Sequence, residues 1–521
     1  MTTQPNLRYS RPFDVHRYSN YPEVKRAVTE IFELVQQLDT RQRKRDLPGL
    51  KQTVSALALD LYVAWNTDPD LNVSVHKNKD AYIKSISRYS KIHHKFANMM
   101  MAQDHFEQLG FMHVHIGTYN RENEFGCLTR IRATTNLIAL INRHKVLMPM
   151  IEKHPKRELI FLKKTEIKIN RKGKPVKVKV LVDYEDTEST NQRRLNLKVM
   201  NKAYAEANID VRLSNEQQRQ LNLDVRDDPE KCGINITNKY VHRSFLNRDF
   251  EQGGRLSGPF WQYMPKDWRP FITIDGKDTV EIDYSAMHFR ILYAFVGHPV
   301  PLTEDPYTLT GFTGEGGRKI IKYACNYMLN AESDDSAKHA IARKLIRTDQ
   351  LPEPYETLGE FMEAIKQRHA PIRDYFNSGA GVHLQYLDSV IAEQVILRML
   401  RYREVVLSVH DSFIVKKTRQ GLLEDIMEDA YQQIIGSAVS TTIKEKDREP
   451  ETTNMDEINS EAMVQELLKM KRDGDTGTSP YSLYETRQAQ WHEVHKITYA
   501  PDTESISLET NVSSRYLRQV T

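Results

Sequence analysis

Three cysteines in 521 residues, Cys127, Cys232 and Cys325, are too few and too far apart for a disulfide framework or a cysteine-rich zinc site. A reducing compartment such as the cytoplasm is the expected setting. No run of about 20 apolar residues occurs, so a membrane-spanning helix and a membrane partner are not expected. The stretch Met1 to Arg11 lacks the hydrophobic core of a secretory signal. A marked excess of one charge sign is also lacking: 74 Lys and Arg against 70 Asp and Glu leave a formal net charge of +4 that says little about partners. The apolar fraction of 39% is enough for two or three domains with their own cores.

Local charge says more than the total. Between Lys153 and Lys179 the bases Lys153, Lys156, Arg157, Lys163, Lys164, Lys168, Arg171, Lys172, Lys174, Lys177 and Lys179 face only Glu158 and Glu166. Such an excess suits a phosphate backbone, because binding releases condensed counterions, and it equally suits a solvated basic hairpin. Five segments follow from composition and periodicity. Residues 1–48 read as a polar leader with a helix from Tyr21 to Leu38. Residues 49–153 form a compact unit in which a helical stretch, Asp80–Leu109, stops at Gly110. Alternating runs 111–117 and 128–134 then predict a hairpin carrying Arg130 and Arg132, and a helix follows over Thr135–His144. That order fits a winged-helix DNA-binding domain, with the two arginines against phosphates, and fits a generic α+β core with an exposed hairpin almost as well. His93, His94, His113 and His115 lack acidic or cysteine ligands at matching spacing, so no metal is assigned to them.

Residues 154–252 read as a basic hairpin leading into a helix-rich, thumb-like linker over Ser189–Phe250. The segment 444–521 is polar and aperiodic and reads as a largely disordered tail with one short helix around Ser460–Lys471.

The densest chemical signal lies in 253–443. Phe271 to Ile274 and Lys277 to Asp283 flank an Asp275-Gly276 turn, a strong hairpin signal, and Asp283 ends the second strand where the chain turns helical. A second predicted hairpin, Val405 to Val415, carries His410-Asp411-Ser412 at its tip. A charge between apolar strands needs a partner, and a bound cation supplies one. Between them, Arg318, Lys322 and Asn326 recur about one turn apart on a predicted helix. They form either a grip for a triphosphate or the wet face of an ordinary amphipathic helix.

Motif order distinguishes these readings. Gly253-Gly254-Arg255-Leu256-Ser257, Trp261-Gln262-Tyr263-Met264-Pro265, Arg269-Pro270-Phe271, Asp283-Tyr284-Ser285, Arg318-x-x-x-Lys322, Gln385-x-x-Asp388 and Val409-His410-Asp411 occur in the order and with much of the content found in family A DNA polymerases. The resemblance covers about a third of the chain. It implies an α+β fold: a polymerase palm with a small antiparallel sheet, reduced helical fingers and the N-terminal winged-helix-like domain. It further implies that Asp283, Asp411 and the Tyr284 carbonyl hold two Mg²⁺ ions, with Mn²⁺ as a substitute. Arg318, Lys322, Asn326 and Tyr327 would bind the incoming nucleoside triphosphate. Arg255 and Gln385 would contact a DNA template or primer, and His410 would lie near the primer end.

Departures accompany the match. His288 stands where the family has a sugar-reading glutamate, and Ser412 stands where it has a second acid; Val409-His410-Asp411-Ser412 is shared instead with phage-type single-subunit RNA polymerases. The expected activity is therefore template-directed DNA synthesis from a primer 3′-hydroxyl, suited to a plasmid or phage. Two alternatives remain: an RNA polymerase or primase on the same palm, and a non-catalytic replication initiator.

Overall fold

The structure is a computed structural model and describes residues 7–41, 46–83, 88–89, 95–120, 125–169, 173–227, 233–444 and 483–498. His93, His94, Arg171, Lys172, Cys232 and the helix expected near Ser460–Lys471 lie outside them. Helix Pro22–Leu38 forms, as its periodicity predicts, and buries Val24, Ala27, Val28, Ile31, Phe32 and Val35 along one stripe. Helix Leu47–Thr67 is apolar nearly all round and forms the centre of the N-terminal unit. Beside it lies a four-stranded sheet in the order Ser10–Pro12, Asn72–Val75, Thr129–Ala133, Met112–His115. The predicted hairpin is there, pairing His113 with Arg132 and His115 with Arg130, and helix Thr135–Arg143 follows it.

The single helix expected over Asp80–Leu109 is instead Asp80–Ile83 and Phe96–Gln108. Arg88 and Tyr89, between the two, are held elsewhere. The Arg88 guanidinium donates to Asp183 and Asp186 at 2.9 Å each, and the Tyr89 hydroxyl donates to the Val182 carbonyl at 2.8 Å. Those bonds fasten the N-terminal unit to the basic hairpin.

That hairpin is a long antiparallel pair, Ile160–Ile169 with Pro175–Leu181. Its base continues into a four-stranded sheet through His242–Leu246 and Asp249–Ser257. Helices Glu188–Glu206 and Asn215–Asp227 occupy part of the stretch expected to be helical, but residues 242–250 are mainly strand. The reason is a period of two: Arg243 and Phe245 are buried while His242, Ser244 and Leu246 are half-buried. Fully buried Arg243 clamps the layers together. It donates to the Gly254 carbonyl at 2.6 Å, pairs with Glu393 at 2.6 Å and donates to Ser389 Oγ at 2.5 Å, so that helix Gly381–Arg401 is held on strand Asp249–Ser257. Gly254 has φ +75°, and a Cβ there would come 2.5 Å from the Phe245 ring.

A six-stranded antiparallel sheet carries Asp283 and leads into the turn that holds Asp411. Its order is Ile209–Val211, Ile272–Ile274, Lys277–Tyr284, Ser412–Lys416, Leu407–Val409, and Thr441–Lys444 pairs along the second half of Lys277–Tyr284. The predicted turn is present, with Asp275 at φ 51° and Gly276 at φ 68°, the left-handed pair that a tight hairpin requires. Helices Gly381–Arg401 and Gln420–Ile435 pack on each other and on this sheet. Helices Gly314–Asn330, Asp334–Lys344 and Leu358–Arg368 form a small helical group inserted between the two carboxylate-bearing hairpins.

Part of the tail read as disordered is ordered. Helix Leu483–Thr498 docks on the sheet edge through an Arg487–Asp210 ion pair of 2.8 Å, a Gln488–Asp210 hydrogen bond of 3.1 Å and buried Tyr484, Ala489 and Val494. So few apolar residues leave a weak periodic signal, and the docking is largely polar.

Removing Glu393 would strand a buried guanidinium. We expect Glu393→Ala to destabilise the protein by about 3 kcal/mol, and Arg243→Met with Glu393→Leu to recover most of that in thermal unfolding. Equal losses in the single and double variants would show that the pair does not act as the clamp.

Candidate active site

Asp283 lies opposite Ser412 across the two central strands, and the backbone N–H of Tyr284 donates to the Asp411 carbonyl at 3.3 Å. The two aspartates therefore sit side by side where paired strands end. The turn between Val409 and Ser412 puts His410 at φ 60°, an uncommon conformation for a residue with a side chain. The Tyr284 ring is buried and its hydroxyl donates to the Met427 carbonyl at 2.6 Å, so only its main chain can serve the cleft.

Charge is the main feature of this place. Burial, and next the neighbouring Asp411, push the Asp283 carboxyl up to about 6, although Lys444 and Lys322 pull in the opposite direction. Asp283 Oδ1 is buried without a hydrogen-bond partner, and Oδ2 meets Lys444 Nζ at 3.0 Å. A buried, unpartnered carboxylate oxygen beside a second carboxylate fits a divalent cation. No cluster of three or more His, Cys, Asp or Glu side chains suited to a metal occurs among the described residues. Two carboxylates and a main-chain oxygen suit Mg²⁺, which keeps waters and takes substrate phosphates to complete its shell.

Ser412, at the position of the family's second acid, donates to Glu281 Oε1 at 2.7 Å. Glu281 also pairs with Arg269 at 3.0 Å and Lys444 at 3.1 Å. Sequence reasoning did not single out Glu281 or Lys444, because the contacts arise from a strand that returns only at residues 441–444.

The helix Gly314–Asn330 brings its bases over the same cleft. Lys322 is near enough to lower the Asp283 pKa, and its Nζ lies 6.0 Å from the centre of the Tyr307 ring. Arg318 stacks on that ring at 5.3 Å and pairs with Asp305 at 2.7 Å. Tyr307 is buried; burial first, then Cys325 and Asp411, raise its pKa. It is a further cleft residue that no motif pointed to. Asn326 and Tyr327 are half-buried further along the helix, and Gln385 Nε2 reaches Asn330 at 3.5 Å.

Arg255, His288 and Asp388 form one network. The Arg255 guanidinium donates from Nε to Asp388 at 2.8 Å, and His288 Nε2 lies 3.1 Å from Asp388 Oδ2. Arg255 Nη2 lies 3.4 Å from the same His288 Nε2. His410 belongs to the same neighbourhood: its pKa is lowered by desolvation and then by Arg255, while Asp411 and Asp388 oppose that shift. Arg130 and Arg132 lie apart, on the N-terminal sheet. Arg130 Nε donates to the Leu7 carbonyl at 3.0 Å, and Arg132 pairs with Asp70 at 3.0 Å.

The chain is similar to the POL domain of Pol1 from M. smegmatis in complex with DNA primer-template and dNTP, at 14% identity and a TM-score of 0.27. The match covers 49% of this chain and 51% of that one, so it spans about half of each. No protein family and no curated protein matches the chain. No helix among the described residues is long and apolar enough to cross a membrane.

The raised Asp283 pKa has a stability consequence. An acid whose folded pKa exceeds its unfolded one favours folding when protonated, so its ionised form costs stability above about pH 6 and little below pH 4. In EDTA, Asp283→Asn should therefore stabilise the protein at pH 8, by on the order of 2 kcal/mol, and the gain should fade as the pH drops toward 4. A gain that is independent of pH would contradict the raised pKa of Asp283, which burial and then Asp411 produce.

Proposed function

We propose that the chain is a template-directed nucleotidyltransferase that extends a DNA primer from its 3′-hydroxyl. The observation that carries this reading is the pairing of Asp283 and Asp411 at adjoining strand ends, with an unpartnered Asp283 oxygen and the Lys322 charge across the cleft. The reaction would join the 3′-oxygen to the α-phosphorus of a nucleoside triphosphate while the bond to pyrophosphate breaks. Asp283, Asp411 and the Tyr284 carbonyl would hold Mg²⁺, or Mn²⁺ in its place. Bound there, the ions would neutralise phosphate charge and make the 3′-hydroxyl easier to deprotonate.

The chain's own residues divide the remaining work. Lys322 and Arg318 would take the triphosphate, with Arg318 exchanging Asp305 for a phosphate. Asn326 and Tyr327 would flank the nucleotide, and Gln385, Arg255 and His410 would line the primer-template path. The lysines of the 160–181 hairpin would meet backbone phosphates. Within the N-terminal unit, helix Leu47–Thr67, strand Asn72–Val75, helix Phe96–Gln108 and the paired strands Met112–His115 and Thr129–Ala133 follow one another, a succession that we read as winged-helix-like despite the additional short elements around it. Its Arg132–Asp70 pair is exposed, and a surface pair of that kind is weak enough for a phosphate to displace. Replication of a plasmid or phage suits an enzyme of this composition.

A second reading is an RNA polymerase or primase on the same scaffold. His288, which carries no fixed negative charge, and Ser412, in a Val409-His410-Asp411-Ser412 run that resembles phage-type RNA polymerases, favour it.

Primer extension with Mg²⁺ tests the proposal. Asp283→Ala and Asp411→Ala should each lower incorporation by at least about a thousandfold while circular dichroism stays unchanged. Lys322→Ala should raise KM for the triphosphate and lower kcat, with little change in DNA affinity. Substantial incorporation by either aspartate variant would remove the catalytic assignment.

Sugar choice is a separate question. We expect wild type to prefer deoxyribonucleotides and His288→Ala to raise the ratio of ribo- to deoxyribonucleotide use, because a bulky ring is lost beside the 2′-position. Asp388→Asn should move the same ratio if it orients the imidazole. An unchanged ratio in both variants would mean that His288 does not read the sugar.

A further inference from the structure

Strand Thr441–Lys444 ends beside the carboxylates, with Lys444 opposite Glu281 and Thr442 opposite Asp283. Its ammonium lies 3.0 Å from Asp283 Oδ2 and 3.1 Å from Glu281 Oε1. Asp411 makes no ion pair among the described residues, so this lysine neutralises one side of the aspartate pair. We propose that Lys444 is a built-in counter-ion that occupies Asp283 until a nucleoside triphosphate arrives with its own divalent cation. The inference rests on reading Asp283 and Asp411 as a metal site.

The reasoning is competitive. A free divalent ion must displace a tethered ammonium from Asp283 and gains only carboxylate and main-chain oxygens in return. An ion carried by a triphosphate brings phosphate oxygens with it, and so displaces the lysine more readily. Glu281 makes the exchange reversible. It is fixed by Ser412 at 2.7 Å and Arg269 at 3.0 Å, so Lys444 keeps one carboxylate when it leaves the other. Metal and nucleotide should therefore bind as a unit. Lys444 is a positioning residue in this scheme and touches neither the primer nor the α-phosphate.

Titrating full-length protein with Mn²⁺ and following free Mn²⁺ by electron paramagnetic resonance tests this without any turnover. Without nucleotide, Lys444→Gln should bind Mn²⁺ about three- to fivefold more tightly than wild type, the upper part of the range expected from losing one partly exposed ion pair. Lys444→Arg should stay near wild type. With a non-hydrolysable triphosphate present, the difference should shrink to less than about twofold. Lys444→Met, which keeps the aliphatic stem, replaces Lys444→Gln if the latter does not fold. Asp283→Asn in the Lys444→Gln background separates the two ideas. If Mn²⁺ affinity is unaffected by Asp283→Asn, the metal-site reading fails. If Asp283→Asn abolishes binding but the Lys444 variants match wild type, the counter-ion proposal is overturned.

Discussion

Two like charges held at adjoining strand ends repel each other, and the loss of water around them makes that repulsion expensive. The pairing of strands 277–284 and 412–416 brings Asp283 and Asp411 together, and much of the surrounding structure answers the resulting charge. Lys444 arrives on a third strand to meet Asp283, Glu281 is held by Ser412 and Arg269, and Lys322 faces the pair from the inserted helix. Folding alone gains nothing from such an arrangement. A cleft that gathers acids on one wall and bases on the other is suited to a ligand carrying both metal and phosphate.

The helix Gly381–Arg401 gives this cleft its rigidity. Gln385, Ser389 and Glu393 follow at intervals near one helical turn, with Asp388 directly before Ser389, and they meet different neighbours in succession. Gln385 reaches Asn330 at the end of the inserted helix, Asp388 holds Arg255 and His288, and Ser389 and Glu393 grip Arg243. One helix thus ties the inserted helix and the Arg255–His288 network to the sheet that continues into the basic hairpin. The Arg243 clamp is costly to bury, and its three partners compensate for that cost by fixing how strand and helix sit.

Local signals were legible where chemistry and periodicity agree within a few residues. The Asp275-Gly276 turn and the alternating strands around it, the Val409-to-Ser412 tip and helix Pro22–Leu38 all express preferences that need no distant partner. Contacts made across the chain were not legible. Glu281 and Lys444 meet only because a short strand returns after 163 positions, and Tyr307 matters only because the inserted helix lies over it. The break near Arg88 and the docked helix Leu483–Thr498 depend on polar anchors, Asp183, Asp186 and Asp210, that leave no hydrophobic pattern. Arg255 and His288 stand out in the sequence one by one, whereas their common tie to Asp388 required the fold.

The most direct test is a crystal structure with Mn²⁺, a primer-template and a non-hydrolysable deoxynucleoside triphosphate, read by anomalous scattering. The account predicts Mn²⁺ on the oxygens of both Asp283 and Asp411, the triphosphate beside Lys322 and Lys444 withdrawn to Glu281. Metal bound elsewhere, or a cleft in which Lys444 stays on Asp283 while the nucleotide sits at another surface, would contradict it.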